Sequence, residues 1–275
     1  MSHTIRIPVD VTNPGQFFAC CGLLELAARL WRGSTAAFEP GVFVVDSSDL
    51  HATLHRLLES FTSAELPTGD EAGSSDDERN GDETDDELPS PISLGEPFHL
   101  SLDWWADKAL KTWAGSMNAE LIFKAMRMAI DPNHADPLND LRVVTDPADS
   151  SKPGQKQEKR EPFYFDSRRG GNAKSLDVGF APDAFSMTSA ACPAVEALCM
   201  VGLQRFRPMP TDQPRVFVYR AWTVPLPPCA AAAAACGLLP GVGGDLYRFE
   251  NAFRTGKRML KGFLPATRIT KGDTP

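Results

Sequence analysis

Hydrophobic and polar residues alternate with period two from Thr4 to Val9, with Ile5 and Ile7 on one side, which predicts a short strand. After Asn13-Pro14-Gly15-Gln16 the period lengthens to that of a helix. Phe17, Cys20/Cys21, Leu24, Ala27/Ala28 and Trp31 then share one face until Gly33 ends it. Asn13 suits the N-cap and Pro14 the first turn. Gly22, inside this helix, costs about 1 kcal/mol against alanine and reads as room for a close neighbour. Val42 to Val45 predicts a second strand. Ser48 or Asp49 is expected to cap a helix to about Phe61, with Leu50, Leu54, Leu57/Leu58 and Phe61 inward.

The pattern stops at residues 62–91, which lack apolar periodicity, and resumes at Phe98 to Trp105 with a clean strand alternation. A turn carries Lys108 to Gly115. Asn118 can cap a helix to about Ile130, with Leu121, Ile122, Ala125, Met128 and Ala129 inward. Residues 131–160, rich in Pro, Asp and Ser, read as a long mobile loop. Phe163-Tyr164-Phe165 is expected to be a strand, pairing with Leu176 to Phe180 across Ser167–Asn172. Pro193 starts a helix through Phe206 with its own late glycine. Arg215 to Val224 predicts a strand, Cys229 to Cys236 an Ala-rich helix ended by Gly237, and Leu246 to Phe253 a last strand before a basic tail.

A strand, a Pro-initiated helix with an internal glycine and a further strand thus occur twice. The expectation is an α+β chain of short mixed sheets flanked by helices, in two related sub-lobes, with a disordered acidic insertion. The boundaries are 1–61 for an N-terminal α/β lobe, 62–91 for the insertion, 92–130 for a middle strand–helix section, 131–161 for the loop, and 162–275 for a C-terminal basic α+β lobe.

Composition adds little until charge is mapped. The 275 residues are 42% hydrophobic, enough for a sizeable core. No uncharged apolar run approaches the roughly 18 residues of a spanning helix. The N-terminus lacks the basic and apolar regions of a secretory signal. The six cysteines form no CxxC, which reads as reduced thiols and a cytoplasmic protein without membrane partners. Net charge is −8, but residues 65–87 hold eleven acids against one base, so the remainder is net +2. Residues 151–275 alone carry 18 Lys and Arg against 10 Asp and Glu. A basic C-terminal half keeps a polyanionic partner open despite the acidic total. The acidic tract reads as a solvated loop or, alternatively, as a nucleic-acid mimic over a basic surface.

Catalytic signatures are missing: no HExxH, GxSxG, GxxxxGK[ST] or GxGxxG occurs. His51 and His55 have the i,i+4 spacing of a metal pair but no Glu or Cys cluster beside them. Cys192/Cys199 and Cys229/Cys236, seven apart, fit buried helix faces. Asp103 and Asp107 are paired carboxylates that nothing places around a substrate. The expectation is a non-enzyme with no cofactor and no metal. Basic residues near aromatics are more informative as nucleic-acid contacts. They are Lys108, Lys111, Trp113 and Asn118 around the turn; Arg168, Arg169 and Lys174 in the expected hairpin; and Arg254, Lys257, Arg258 and Lys261 between Met259, Leu260 and Phe263. Each has a plainer reading: Trp113 as core, Asn118 as cap, the tail as a solvated amphipathic end. Arg205 and Arg207 at a helix end compensate its dipole, and the Asn13-Pro14-Gly15-Gln16 start offers amides for an anion or simply a cap.

Five segments, NPGQFFACCGLLELAARLW (13–31), LDWW with LKTWAG (102–115), PFYFDSRRGGNAKSLDVGFAPD (162–183), PAVEALCMVGLQRFRP (193–208) and RMLKGFLPATR (258–268), together resemble a CRISPR-associated family. It is the compact large-subunit-like protein of type I-U (I-G) effector complexes, in the Csb/Csx series. The resemblance spans nearly the whole chain and skips the acidic tract and the 131–160 loop. It implies a non-catalytic Cascade subunit near the 5′ end of the guide RNA. Such a subunit helps recognise the motif flanking a DNA target and holds the opened strands, beside other effector subunits, while a separate helicase–nuclease cleaves. Two other classes stay open: a protein-only adaptor, and a metal-dependent nuclease with an unfamiliar site.

Overall fold

The computed structural model describes residues 3–66, 90–115, 117–147, 158–169, 190–254 and 260–270. Among them the chain is α+β, with five α-helices and short sheets whose ladders are all antiparallel rather than mixed. No helix is long and apolar enough to cross a membrane.

The N-terminal sheet is β1 (His3–Pro8), β2 (Thr35–Glu39) and β3 (Val42–Ser47), in the order β1-β3-β2. Between β1 and β2 runs α1 (Pro14–Leu30), capped as expected: Asn13 Oδ1 accepts the amides of Gly15 and Gln16. Those amides are therefore taken, and the start of α1 is a cap rather than an anion site. α2 (Leu54–Ser63) begins later than the sequence implies, because Thr53, not Ser48 or Asp49, accepts the Arg56 amide. Leu50 consequently stays outside the helix, 65% exposed. His51 also precedes α2, so it forms no helical pair with His55.

The middle section is a two-stranded ladder, β4 (Ile92–Leu94) with β5 (Leu100–Leu102). The strand expected to reach Trp105 stops at Leu102, and Trp104–Asp107 turns as a 3₁₀ helix. This turn lets Trp104 Nε1 donate to the Met200 carbonyl inside the core. α3 (Ala119–Met128) is capped by Asn118, whose Oδ1 accepts the Leu121 amide. Its buried face is Ile122, Phe123, Ala125 and Met126, while Leu121 and Met128 are exposed. Residues 131–147 pack rather than hang free: Leu138 is buried, and Arg142 bridges Ala191.

α4 (Pro193–Arg205) leads into β6 (Met209–Pro210) and β7 (Val216–Arg220). After α5 (Pro228–Ala235) come β8 (Leu246–Phe253), β9 (Lys261–Phe263) and β10 (Thr267–Arg268). The sheet order is β10-β8-β7-β6, with β9 also on β8. Residues 260–270 of the presumed tail are thus woven into a sheet. The Ala266 amide reaches the Thr12 carbonyl and the Leu264 amide the Glu250 carbonyl.

The two lobes share one hydrophobic core. Its axis is the α1–α4 pair. A Cβ on Gly22 would lie 2.1 Å from the Leu198 carbonyl oxygen, and one on Gly202 2.0 Å from that of Phe18. Each glycine thus meets the carbonyl four residues before the other. That reciprocity lets the two helix backbones approach closely at their crossing, while the strand expected to open a second repeat, Phe163–Phe165, does not form.

Candidate nucleic-acid interface

The cations flagged along the sequence separate into three groups. The first is built on the segment between the lobes. Phe163–Phe165 is not a strand; its amides turn elsewhere. Glu196, in the first turn of α4 and fully buried, accepts the amides of Phe165 and Asp166, both at 3.2 Å. Asp166, also fully buried, accepts Asn13 Nδ2 at 2.8 Å and a two-pronged grip from Arg168, closest at 2.6 Å. Arg168 extends onward to Asn139 Oδ1 and the Leu138 carbonyl. Its guanidinium ties the Leu138–Asn139 segment to the buried Asp166 carboxylate, which is a structural task. Arg169 is 7% exposed, donates to the Ala190 carbonyl and lies over the Tyr164 ring. Lys174 and the strand expected at Leu176–Phe180 lie outside the described residues.

Tyr164 organises the second group. Its hydroxyl donates to Glu161 Oε2, and burial together with Glu161 pushes its pKa up to about 12. The Arg254 guanidinium stacks 3.3 Å from the ring centroid, and Arg254 Nε donates to the Lys261 carbonyl. Burial lowers the Arg254 pKa.

The third group brings together residues more than a hundred positions apart. The Lys261 amide donates to the Thr112 carbonyl, and Lys261 Nζ reaches the Lys108 carbonyl at 3.4 Å. Asn251, fully buried on β8, donates Nδ2 to the Ala109 carbonyl at 3.1 Å and pins the 108–113 turn against the sheet. The Asn251 amide donates to the Arg215 carbonyl. Lys261 pairs with Phe253 across the β8–β9 ladder, and the Arg215 guanidinium sits 4.7 Å from the Phe253 ring centroid. Lys111 Nζ lies 5.6 Å from the Trp113 centroid. Lys111, Arg215 and Lys261 therefore share one corner, built around the Lys108 carbonyl. Arg254, just past the end of β8, turns instead to the Tyr164 ring. Burial lowers the Lys261 pKa, and the positive charges of Arg215 and Lys111 lower it further. In this corner Arg215 also pairs with Glu250, at 3.9 Å.

Backbone strain marks the same corner. Four non-glycine residues among those described have positive φ: His99, Lys108 (φ 56°), Tyr164 (φ 67°) and Arg215 (φ 64°). Each such conformation costs an L-residue on the order of 1 kcal/mol that glycine would not incur. Two of the four are cations of the third group and another is the ring under Arg254. Strain retained with a long charged side chain, where glycine would relieve it, is characteristic of functional positions. Thr112 Oγ1 and Asn251 Oδ1 are also buried there without a hydrogen-bond partner among the described residues.

Trp113 and Asn118 do not join this face as ligand contacts. Trp113 is 4% exposed among Trp104, Trp105, Phe163 and Phe165, and Asn118 caps α3. Lys257 and Arg258 lie outside the described residues. Arg215 escaped the sequence reading because it looked like the first residue of a strand. Its one available signal was the turn TDQP just before it. The other candidate chemistry is engaged structurally. Arg205 grips buried Glu25 on α1, and Arg207 pairs with Asp107. Cys192 and Cys199 are buried, whereas Cys229 is exposed.

Compared with protein-family models, curated proteins and solved structures, the chain matches none.

Proposed function

We propose that this protein is a non-catalytic, nucleic-acid-binding subunit of a type I CRISPR RNA-guided surveillance complex in the cytoplasm. In this reading it contacts guide RNA and target DNA beside the other effector subunits. The observation that carries the reading is the corner formed by Lys111, Arg215 and Lys261 around the Lys108 carbonyl, assembled from three distant segments. Lys111 and Lys261 lie within the motif-bearing segments. A surface of this kind attracts a polyanion through backbone charge, leaving sequence reading to guide pairing.

The test is purification of the tagged full chain from its own cells, followed by sequencing of bound RNA and mass spectrometry. Short repeat-derived RNAs of uniform length, together with partner subunits, are expected. Partner proteins without enriched RNA would overturn the reading in favour of a protein-only adaptor. One observation favours that second reading: Leu121 and Met128, seven apart on α3, are 44% and 54% exposed.

A further inference from the structure

The basic corner carries information about how it would hold its partner, beyond the fact of binding. Its aromatic rings already have occupants. Arg215 lies over Phe253 and Lys111 over Trp113. Trp113 is also buried. Rings placed in this way seat the cations, and the buried indole presents no face on which a base could stack. Arg215 stands on a backbone of positive φ and against the Phe253 ring, and Lys261 is held by its ladder position and its contact with the Lys108 carbonyl. Pre-positioned positive heads over covered rings suit an oxyanion of fixed charge.

We propose that Lys111, Arg215 and Lys261 form a seat for the phosphodiester backbone of a nucleic acid, holding it without reading its bases. This rests on the reading of the protein as a nucleic-acid-binding subunit and assigns this face to strand holding rather than to recognition of the flanking motif. Arg215 provides the most discriminating substitution. Arg215→Gly removes a cation while placing glycine at a φ that glycine accepts freely, so the fold is kept or strengthened as the seat weakens. A residue retained only for structure would behave in the opposite way.

The experiment measures binding of fluorescent 20-nucleotide single strands of several sequences, and of one duplex, by the full chain over a range of salt. Wild type, Arg215→Gly and the double variant Lys111→Gln/Lys261→Gln are compared, each with its thermal midpoint. The expected results are affinities within about threefold across sequences, and a roughly fivefold or greater loss in Arg215→Gly with an unchanged or raised midpoint. The double variant should reduce the slope of log affinity against log salt by about 1.4 on single strands, since each neutralised phosphate contributes about 0.7. Wild-type binding that neither variant changes would overturn the seat and leave the nucleic-acid reading standing. Loss of binding in the variants together with a tenfold or larger sequence preference in wild type would overturn the claim that bases go unread. If wild type binds none of the oligonucleotides even at low salt, the nucleic-acid reading itself falls, and the seat with it.

Discussion

The carboxylates at the centre of the molecule decide more than its surface charges do. Glu196 has no solvent access and faces Asp166, Arg169, Cys192, Cys199 and Arg254; among the described residues its hydrogen bonds come from two backbone amides. Burial, followed by the charge of Asp166, raises its pKa to about 7, against 4.5 ordinarily. The folded state therefore binds this proton more tightly than the unfolded state. Stability from this group is complete in acid and declines as pH rises through the interval from 4.5 to 7. The loss amounts to about 3 kcal/mol, because each pKa unit corresponds to about 1.4 kcal/mol. Urea unfolding at pH 5 and pH 8 should show that decline in wild type and not in Glu196→Gln, whose amide does not titrate. Arg168 allows a sharper contrast. If it faced a ligand, Arg168→Ala would be close to neutral for stability. Its guanidinium instead neutralises a carboxylate with no solvent access, so the substitution should cost about 3 kcal/mol in the same urea measurement. The sequence shows Arg168 and Arg169 as a basic pair beside small residues. That their partners are Asp166, Asn139 and the Ala190 carbonyl depends on contacts as far as 29 positions away, which no local pattern encodes.

At the scale of elements, what the sequence reveals follows from how local the determining interaction is. The starts of α1 and α3 are legible because a cap is a bond between residues two or three apart, as Asn13 with Gly15 and Asn118 with Leu121 show. Strand β8 is legible from its alternation over its full length. Strands β2, β4 and β10 are not, since each is short and exists only through a partner, and Phe163–Phe165 looks like a strand although a glutamate side chain takes the place of its ladder. Gly22 is the instructive case. Its sequence context predicts a close neighbour, and the structure supplies one, with Leu198 of α4 at its back. On helix propensity alone Gly22→Ala would stabilise by about 1 kcal/mol. An added Cβ only 2.1 Å from the Leu198 carbonyl oxygen reverses the sign, because the obstacle is backbone and cannot rotate away. Both Gly22→Ala and Gly202→Ala should lower the unfolding free energy measured in urea, each by about 2 kcal/mol or more. The double variant should be no better than the worse single one, since both side chains force the same two helices apart.

Across the whole molecule, α1 comes from the first lobe and α4 from the last, yet each is the other's main support, and the middle tryptophans pack against the same pair. The outer connections repeat this arrangement. Tyr219 donates its hydroxyl to the Val11 carbonyl, Trp222 its indole N–H to the Ala36 carbonyl, and Ala266 its amide to the Thr12 carbonyl. An N-terminal lobe cut from its C-terminal counterpart would expose the apolar side of α1 and leave these carbonyls without their donors. The basic corner depends on the same closure, because Lys108 and Lys111 meet Lys261 and Arg215 only when the middle section is pinned to β8 by Asn251. The individual lysines were legible as candidates, but their common corner was not, since it is a property of the closed core. Unfolding should accordingly be one event. Far-ultraviolet circular dichroism, which follows the helices and sheets together, and fluorescence of the tryptophans, which lie at Trp31, in the 104–113 section and at Trp222, should give coincident urea midpoints and a single slope. Two separated transitions would mean that the lobes carry independent cores, and the corner would then have to survive on one lobe alone, which its geometry does not allow.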